Sequence, residues 1–254
     1  MPEARVLVYD LEITPTLGWT YDRWDATVIR VEREPYIMCF AYKWLGGKTH
    51  VVSQPDFPLY STDPYDDSLV VGELWKLLDS ADIVIAHNAD KFDNRVATER
   101  FLVHRLGPPS PYKTVDTLKV ARRYFKNGSN SLDNLCKKLG LGEKTSVRHH
   151  DLWPLCVAGD MAAWKKMAKY NKRDVDILEE LYITLRPYIT NHPNVSLLSG
   201  QLDGCPKCGS RNIQRRGLQR SAVATYRRVQ CQECGGWSRE RLSEPERPSY
   251  TNIA

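Results

Sequence analysis

The stretch VLVYDLEITPT, residues 6–16, decides the fold and carries the first chemistry. Val6 to Tyr9 form an oily run with strand propensity. The run turns acidic at Asp10 and Glu12, with one residue between them. Side chains at i and i+2 of a strand share a face, so the two carboxylates sit side by side. Like charges so placed repel, and a pKa rises unless positive charge lies between them. The stretch itself contains no Arg or Lys. Two readings stand at this point: a divalent cation held by hard oxygen ligands, or a solvated strand end.

Working outward, apolar runs alternate with turn signals. Strands are predicted at 5–13, 36–44, 48–53, 82–86 and 113–117, with Gly46-Gly47 turning the second into the third. Residues 14–35 read as an irregular connection and 54–67 as loop. Helices are predicted at 68–79, 93–106 and 160–187, and Ser131 caps another that stops at Gly140. Hairpin-linked strands followed by alternating helix and strand predict an α/β domain, a mixed sheet with helices packed on it. The expected boundaries are a first domain at 1–190, a linker at 191–204, a cysteine module at 205–242 and a disordered tail at 243–254.

Charge is distributed unevenly. Residues 1–199 hold 26 Lys and Arg against 26 Asp and Glu, whereas residues 200–254 hold 10 against 5. Nine of those ten cations are Arg, whose planar fork suits phosphate. No run approaches the roughly 18 apolar residues of a membrane span. The start, MPEARVLVYD, lacks a signal-peptide pattern. A soluble, cytoplasmic protein (host cytoplasm, if viral) with no membrane partner is expected. Cys39, Cys136 and Cys156 are scattered and read as free thiols of a reducing compartment.

More acid lies downstream. In IVIAHNADKFDNRV (83–96) an apolar strand again ends in polar residues, with Asp93 at a helix start. Capping is the ordinary use of such an Asp, but Asp90 could cap equally well. In the long helix Tyr170 and Asp174 are one turn apart and share a face; an exposed Asp174 paired with Lys or Arg is the plain alternative. Asp176 reads as a surface charge.

The order Asp-x-Glu, His-Asn-x3-Phe-Asp and Tyr-x3-Asp, across residues 5–188, resembles the DEDD superfamily of 3′–5′ exonucleases, with a ribonuclease-H-like fold. Tyr170, with Lys169 where another branch carries His, places the resemblance on the DEDDy branch. That branch includes the proofreading domains of family A and B DNA polymerases and RNase D-type nucleases. The segments TVDTLKVARRYF and NSLDNLCKKLG are also similar to that family. The resemblance implies two Mg²⁺ or Mn²⁺ ions. Asp10 bridges both, Glu12 and Asp174 complete the first site, and Asp93 holds the second largely through water. Tyr170 is then expected to orient the attacking water, because an unperturbed phenol titrates near ~10 and makes a poor base. Thr14 and Asn88 are carried over as contacts to the terminal nucleotide; as plain residues they are a pre-proline and a turn residue. Asp116 is expected to cap or pair beside the site, and His149-His150 to be a solvated pair in a polar loop.

CPKC (205–208) and CQEC (231–234), with 22 residues between, fit a tetrahedral zinc site of four thiolates: Cys205, Cys208, Cys231 and Cys234. Short strands with a turn near Gly217 are expected between them, as in a zinc ribbon. So small a module has little core of its own, so its Zn²⁺ is expected to be structural. Arg215, Arg216, Arg227 and Arg228, with Tyr226 and Trp237 nearby, suit phosphate contact and base stacking. The alternative is a ribbon that docks a replication or repair protein.

The expectation is a stand-alone metal-dependent 3′–5′ exonuclease, with DNA favoured over RNA because the motifs look closest to family B proofreading domains. An RNase D-type exoribonuclease and a non-catalytic nucleic-acid adaptor are the rivals.

Overall fold

The first predicted strand forms as β1 (Val6–Ile13) in a computed structural model, which describes residues 3–22, 24, 27–142, 149–221 and 224–243. Two short strands follow, β2 (Leu17–Trp19) and β3 (Arg30–Arg33), then β4 (Ile37–Trp44) and β5 (His50–Ser53). Next come α1 (Ser68–Asp79), β6 (Ile83–Ala86), α2 (Asp93–Val103), β7 (Lys113–Asp116) and α3 (Thr117–Tyr124). The helices α4 (Leu132–Leu139), α5 (His149–Val157) and α6 (Met161–Leu185) complete the series. The chain divides into two compact units, Arg5–Leu181 and a second running from Tyr182 onward that includes the N-terminal Ala4.

In the first unit a five-stranded sheet has the order β5-β4-β1-β6-β7. β1 pairs antiparallel with β4 and parallel with β6, so the sheet is mixed, as its sequence pattern predicts. Period-two alternation puts every second residue of β1 on one face. Leu7, Tyr9 and Leu11 pack with Val71, Leu74 and Leu78 of α1 and Phe101 of α2. A second cluster joins Met38 and Cys39 of β4 to Trp164, Met167 and Tyr170 of α6. Asp10 and Glu12 alternate with the first set and so point away from that apolar core.

The long helix is fixed by a buried ion pair. Lys43 Nζ lies 2.5 Å from Glu179 Oε2, and the other Glu179 oxygen accepts from Gly46 N–H at 2.6 Å. Asp176 accepts from the Thr49 hydroxyl and lies 3.6 Å from Lys43. This corrects the surface reading of Asp176: it helps tie α6 to the β4–β5 hairpin. A second buried acid, Asp67, takes the Arg100 guanidinium on both oxygens, at 2.8 and 2.5 Å, and His104 at 2.6 Å. Asp66, Asp67 and His104 are close enough to share a metal, but the guanidinium already balances Asp67.

Four other readings need correction. The connection 14–35 contains the β2–β3 hairpin, in which a Cβ on Gly18 would meet Arg30 O at 2.7 Å. The helix at 93–106 stops at Val103, because Arg105 turns left-handed (φ 57°) and Leu106 N–H closes onto Phe101 O at 2.8 Å, a Schellman end. The loop 54–67 holds two 3-10 turns, Gln54–Asp56 and Pro58–Ser61. His149 and His150 open α5 rather than lying in a loop; their side chains lie outside the described residues.

The second unit contains α7 (Val195–Leu198) and a three-stranded sheet of β8 (Ile213–Arg220), β9 (Thr225–Cys231) and β10 (Trp237–Ser243), in the order β10-β9-β8. Residues 191–204, read as linker, are folded here: Ser196 Oγ accepts from Gly204 N–H at 3.1 Å, and Asn194 caps α7. The expected turn near Gly217 is instead a bulge within β8, and the β8–β9 turn is closed by Ser221 N–H on Ala224 O at 2.8 Å. Of the tail expected to be disordered, residues 244–254 lie outside the described residues.

Candidate active site

β6 runs beside β1 only as far as Val8, so the acidic half of β1 projects beyond its parallel neighbour. There the Leu11 N–H donates to Asp93 Oδ1 at 3.2 Å. Asp93 is the first residue of α2 and only 1% exposed. Phe92 occupies the N-cap position, and Asp90, rather than capping, pairs with Lys119 at 2.5 Å. Burial pushes the Asp93 carboxyl well above the usual range, and the charge on Asp10 pushes it further.

From the other side α6 presents Tyr170, Asn171 and Asp174. Carboxylate oxygens of Asp10, Glu12 and Asp174 all lie within 4.8 Å of one another, and both Glu12 and Asp174 are buried. Tyr170 hydrogen-bonds to Asp174 one turn on. Its phenol pKa is raised by burial first and then by Asp174, Glu12 and Asp10, so the O–H keeps its proton and donates. The Trp153 ring stands edge-on to Tyr170, with centroids 6.1 Å apart.

Asn171 was not singled out from sequence. It is fully buried, and Nδ2 donates to Asp10 Oδ2 at 2.8 Å and to Asp10 O at 3.3 Å. Its Oδ1 faces the Cys39 thiol at 3.9 Å. The amide therefore pins Asp10 through its Oδ2. Its adjacency to Tyr170 and its i,i+3 spacing from Asp174 were the available signal.

Asp116, as expected, works beside the site. It caps α3 through Leu118 and Lys119 N–H and accepts from Asn88 N–H at 3.0 Å. That bond holds the turn after β6, where Asn88 is left-handed at φ 77°. The Thr14 hydroxyl is buried and accepts from Tyr36 N–H at 3.1 Å.

In the second unit Cys205, Cys208, Cys231 and Cys234 converge. Their sulfurs lie within 4.8 Å of one another, with Cys205–Cys234 at 3.7 Å and Cys208–Cys231 at 3.6 Å. These separations far exceed a disulfide of about 2.05 Å. Gly209 and Gly235, both left-handed, turn the two knuckles. Buried Lys207 donates to Pro187 O beside them. Of the predicted cations, Arg215 pairs with Glu240 at 2.8 Å, Arg216 donates to Gln230, and Arg228 donates to Arg216 O. Cys39, Cys136 and Cys156 are buried free thiols in the first unit.

Comparison with known proteins agrees with this architecture. The profile of a family described as the RNase_H superfamily matches residues 26–186, a segment that holds Asp93, Tyr170 and Asp174 and begins after Asp10 and Glu12. The chain belongs to the RNase H superfamily. The family B DNA polymerase from the hyperthermophilic archaeon Pyrobaculum calidifontis is similar in fold, with a TM-score of 0.58 at 16% identity. That match covers 89% of this chain and 32% of the polymerase, so the chain spans about a third of that protein's length. No curated protein matches the sequence significantly. Membership of the RNase H superfamily supports a nuclease function. Among the described residues no helix is long and apolar enough to cross a membrane.

Proposed function

We propose that the chain is a metal-dependent 3′–5′ exonuclease of the DEDDy type, acting on nucleic acid and favouring DNA. The convergence of Asp10, Glu12 and Asp174 from β1 and α6 within 4.8 Å carries this reading. Three carboxylates so close suit a hard divalent cation: opposite oxygens around Mg²⁺ lie about 4.2 Å apart, within reach of a small contraction. Asp10, Glu12 and Asp174 would hold one Mg²⁺ or Mn²⁺, and Asp10 with Asp93 a second. Bound there, the ions would activate water and stabilise charge on the attacking and leaving phosphodiester oxygens.

The chain's own groups have distinct tasks. Asn171 fixes the rotamer of Asp10 through the 2.8 Å bond. Tyr170, protonated at its Oη, gives its one hydrogen to Asp174, orients the attacking water by accepting from it, and does not act as a base. Asn88, held by Asp116, faces the terminal nucleotide, and Thr14 braces the chain leaving β1. DNA is favoured because the motifs resemble family B proofreading domains and the fold resembles a family B polymerase.

In the ribbon, the four thiolates would hold one Zn²⁺. A tetrahedron with Zn–S bonds of about 2.3 Å has edges of about 3.8 Å, close to the 3.6 and 3.7 Å separations seen. The ribbon then assists substrate engagement.

Labelled single-stranded DNA and RNA, each with either end blocked, incubated with Mg²⁺ or Mn²⁺, test the reading. A ladder of products shortened from the 3′ end of DNA is expected. A ladder on RNA alone would favour the RNase D-type enzyme, and no ladder on either would favour the adaptor.

A further inference from the structure

Both faces of the ribbon sheet carry arginine, but only one combines it with aromatic rings. Strand register places Gln214, Gln230 and Trp237 in one row, and Arg228 beside Arg239 in the next. Alternation along β9 adds Tyr226, paired with Gln219, to the same face. The β8 bulge brings Arg216 there too: it donates to Gln230 Oε1 at 2.5 Å and lies 5.9 Å from the Trp237 ring centre. Arg228 lies 4.6 Å over the same ring, and Arg239 lies 3.9 Å over Tyr226. This face thus presents three guanidinium groups, two aromatic rings and glutamine amides, and none of these residues is acidic. On the opposite face Arg220 and Arg227 lie beside Thr225 and Leu218 with no aromatic ring among them, and Arg215 pairs with Glu240 at 2.8 Å.

A groove of about 430 Å³ opens against the basic face, lined by Thr190, Lys207, Gln219, Arg228, Trp237 and Arg239. Its size falls in the range of ligand clefts, about 300–1,000 Å³. Trp237 is 42% exposed, so part of its ring is reachable by a base beside the Arg228 guanidinium that lies over it. Hydrogen bonds to Arg216 O and Gln230 already orient Arg228 and Arg216, which lowers the ordering cost of a phosphate contact.

We propose that this face, formed by Arg216, Tyr226, Arg228, Trp237 and Arg239, is a track for single-stranded nucleic acid. It recognises backbone charge and base faces without reading sequence. Binding here is independent of the carboxylate site, so the failure of one reading leaves the other standing.

The test is fluorescence anisotropy with labelled oligothymidylate, using the zinc-loaded full chain carrying Asp10→Ala to prevent digestion. Arg228→Ala combined with Arg239→Ala should weaken binding at least tenfold. The same pair should flatten the log–log salt slope by about 1.4, the expectation for two lost phosphate contacts on a single strand. Trp237→Ala should weaken it by about five- to a hundredfold. Arg220→Ala, on the opposite face beside Thr225, should change it less than twofold. Arg228→Lys with Arg239→Lys should keep the salt slope, separating charge from folding, and zinc content is measured on every variant. Parental affinity in both the double alanine variant and Trp237→Ala, with zinc retained, would overturn the track and leave the face to a protein partner. An equal loss in Arg220→Ala would overturn it as well.

Discussion

The carboxylate cluster and the cysteine cluster reach similar convergence by opposite routes. Asp10 and Glu12 alternate with Leu7, Tyr9 and Leu11, which lie in a large apolar core, and Asp174 rides on a helix whose other face is packed. Hydrophobic burial forces these acids together at an electrostatic cost, on a core built from apolar side chains rather than from the acids themselves. In the ribbon, all but one residue of β8 is exposed, and in β9 only Cys231 is buried. The cysteines are that module's core. On the proposed reading, a cation at the first site would serve chemistry and a metal at the second would make structure.

Removing a ligand should therefore have opposite consequences in the two regions. Cys231→Ser should abolish the ribbon fold, forfeiting about 10–16 kcal/mol of apparent metal-linked stability. Amide exchange should show β8–β10 deprotected while β1, β4 and β6 keep their protection. Asp10→Ala should lower cleavage at least about a thousandfold, on the scale of losing an essential charge-stabilising group. Its melting temperature should hold or rise, because charge crowding is relieved. A fall in stability matching that of the cysteine variant would erase the contrast.

Two smaller effects sharpen it. Lys43→Ala leaves buried Glu179 without its 2.5 Å partner. It should destabilise the first unit by about 3–5 kcal/mol in urea titration. Tyr170→Phe keeps the ring packing and removes only the donor to Asp174. Steady-state kinetics should show kcat reduced about tenfold to a hundredfold, with KM little changed and the alkaline side of the pH profile unaltered.

Much of this contrast is legible in sequence. β1, α1 and α4 announce themselves through alternation, helical spacing and caps: Ser131 accepts from Asn134 N–H, and Gly140 ends α4 at φ 68°. The signature acids and paired cysteines are legible because their spacing encodes a shared face or a knuckle. The β2–β3 hairpin is not, since Leu17, Trp19 and Val31 are exposed and give no buried stripe. α5 hides behind Pro154, a residue that argues against helix. Asn171 escapes because an asparagine within a helix carries no pattern of its own; only the fold shows that it grips Asp10. Likewise Asp176 reads as solvated until β4 delivers Lys43 to it.

The most direct test of the central claim is anomalous diffraction at the manganese edge from crystals soaked in Mn²⁺. The account predicts two peaks, one among Asp10, Glu12 and Asp174 and one between Asp10 and Asp93, with the first absent in Asp174→Ala. A well-ordered soaked crystal with no manganese peak at these carboxylates would contradict it.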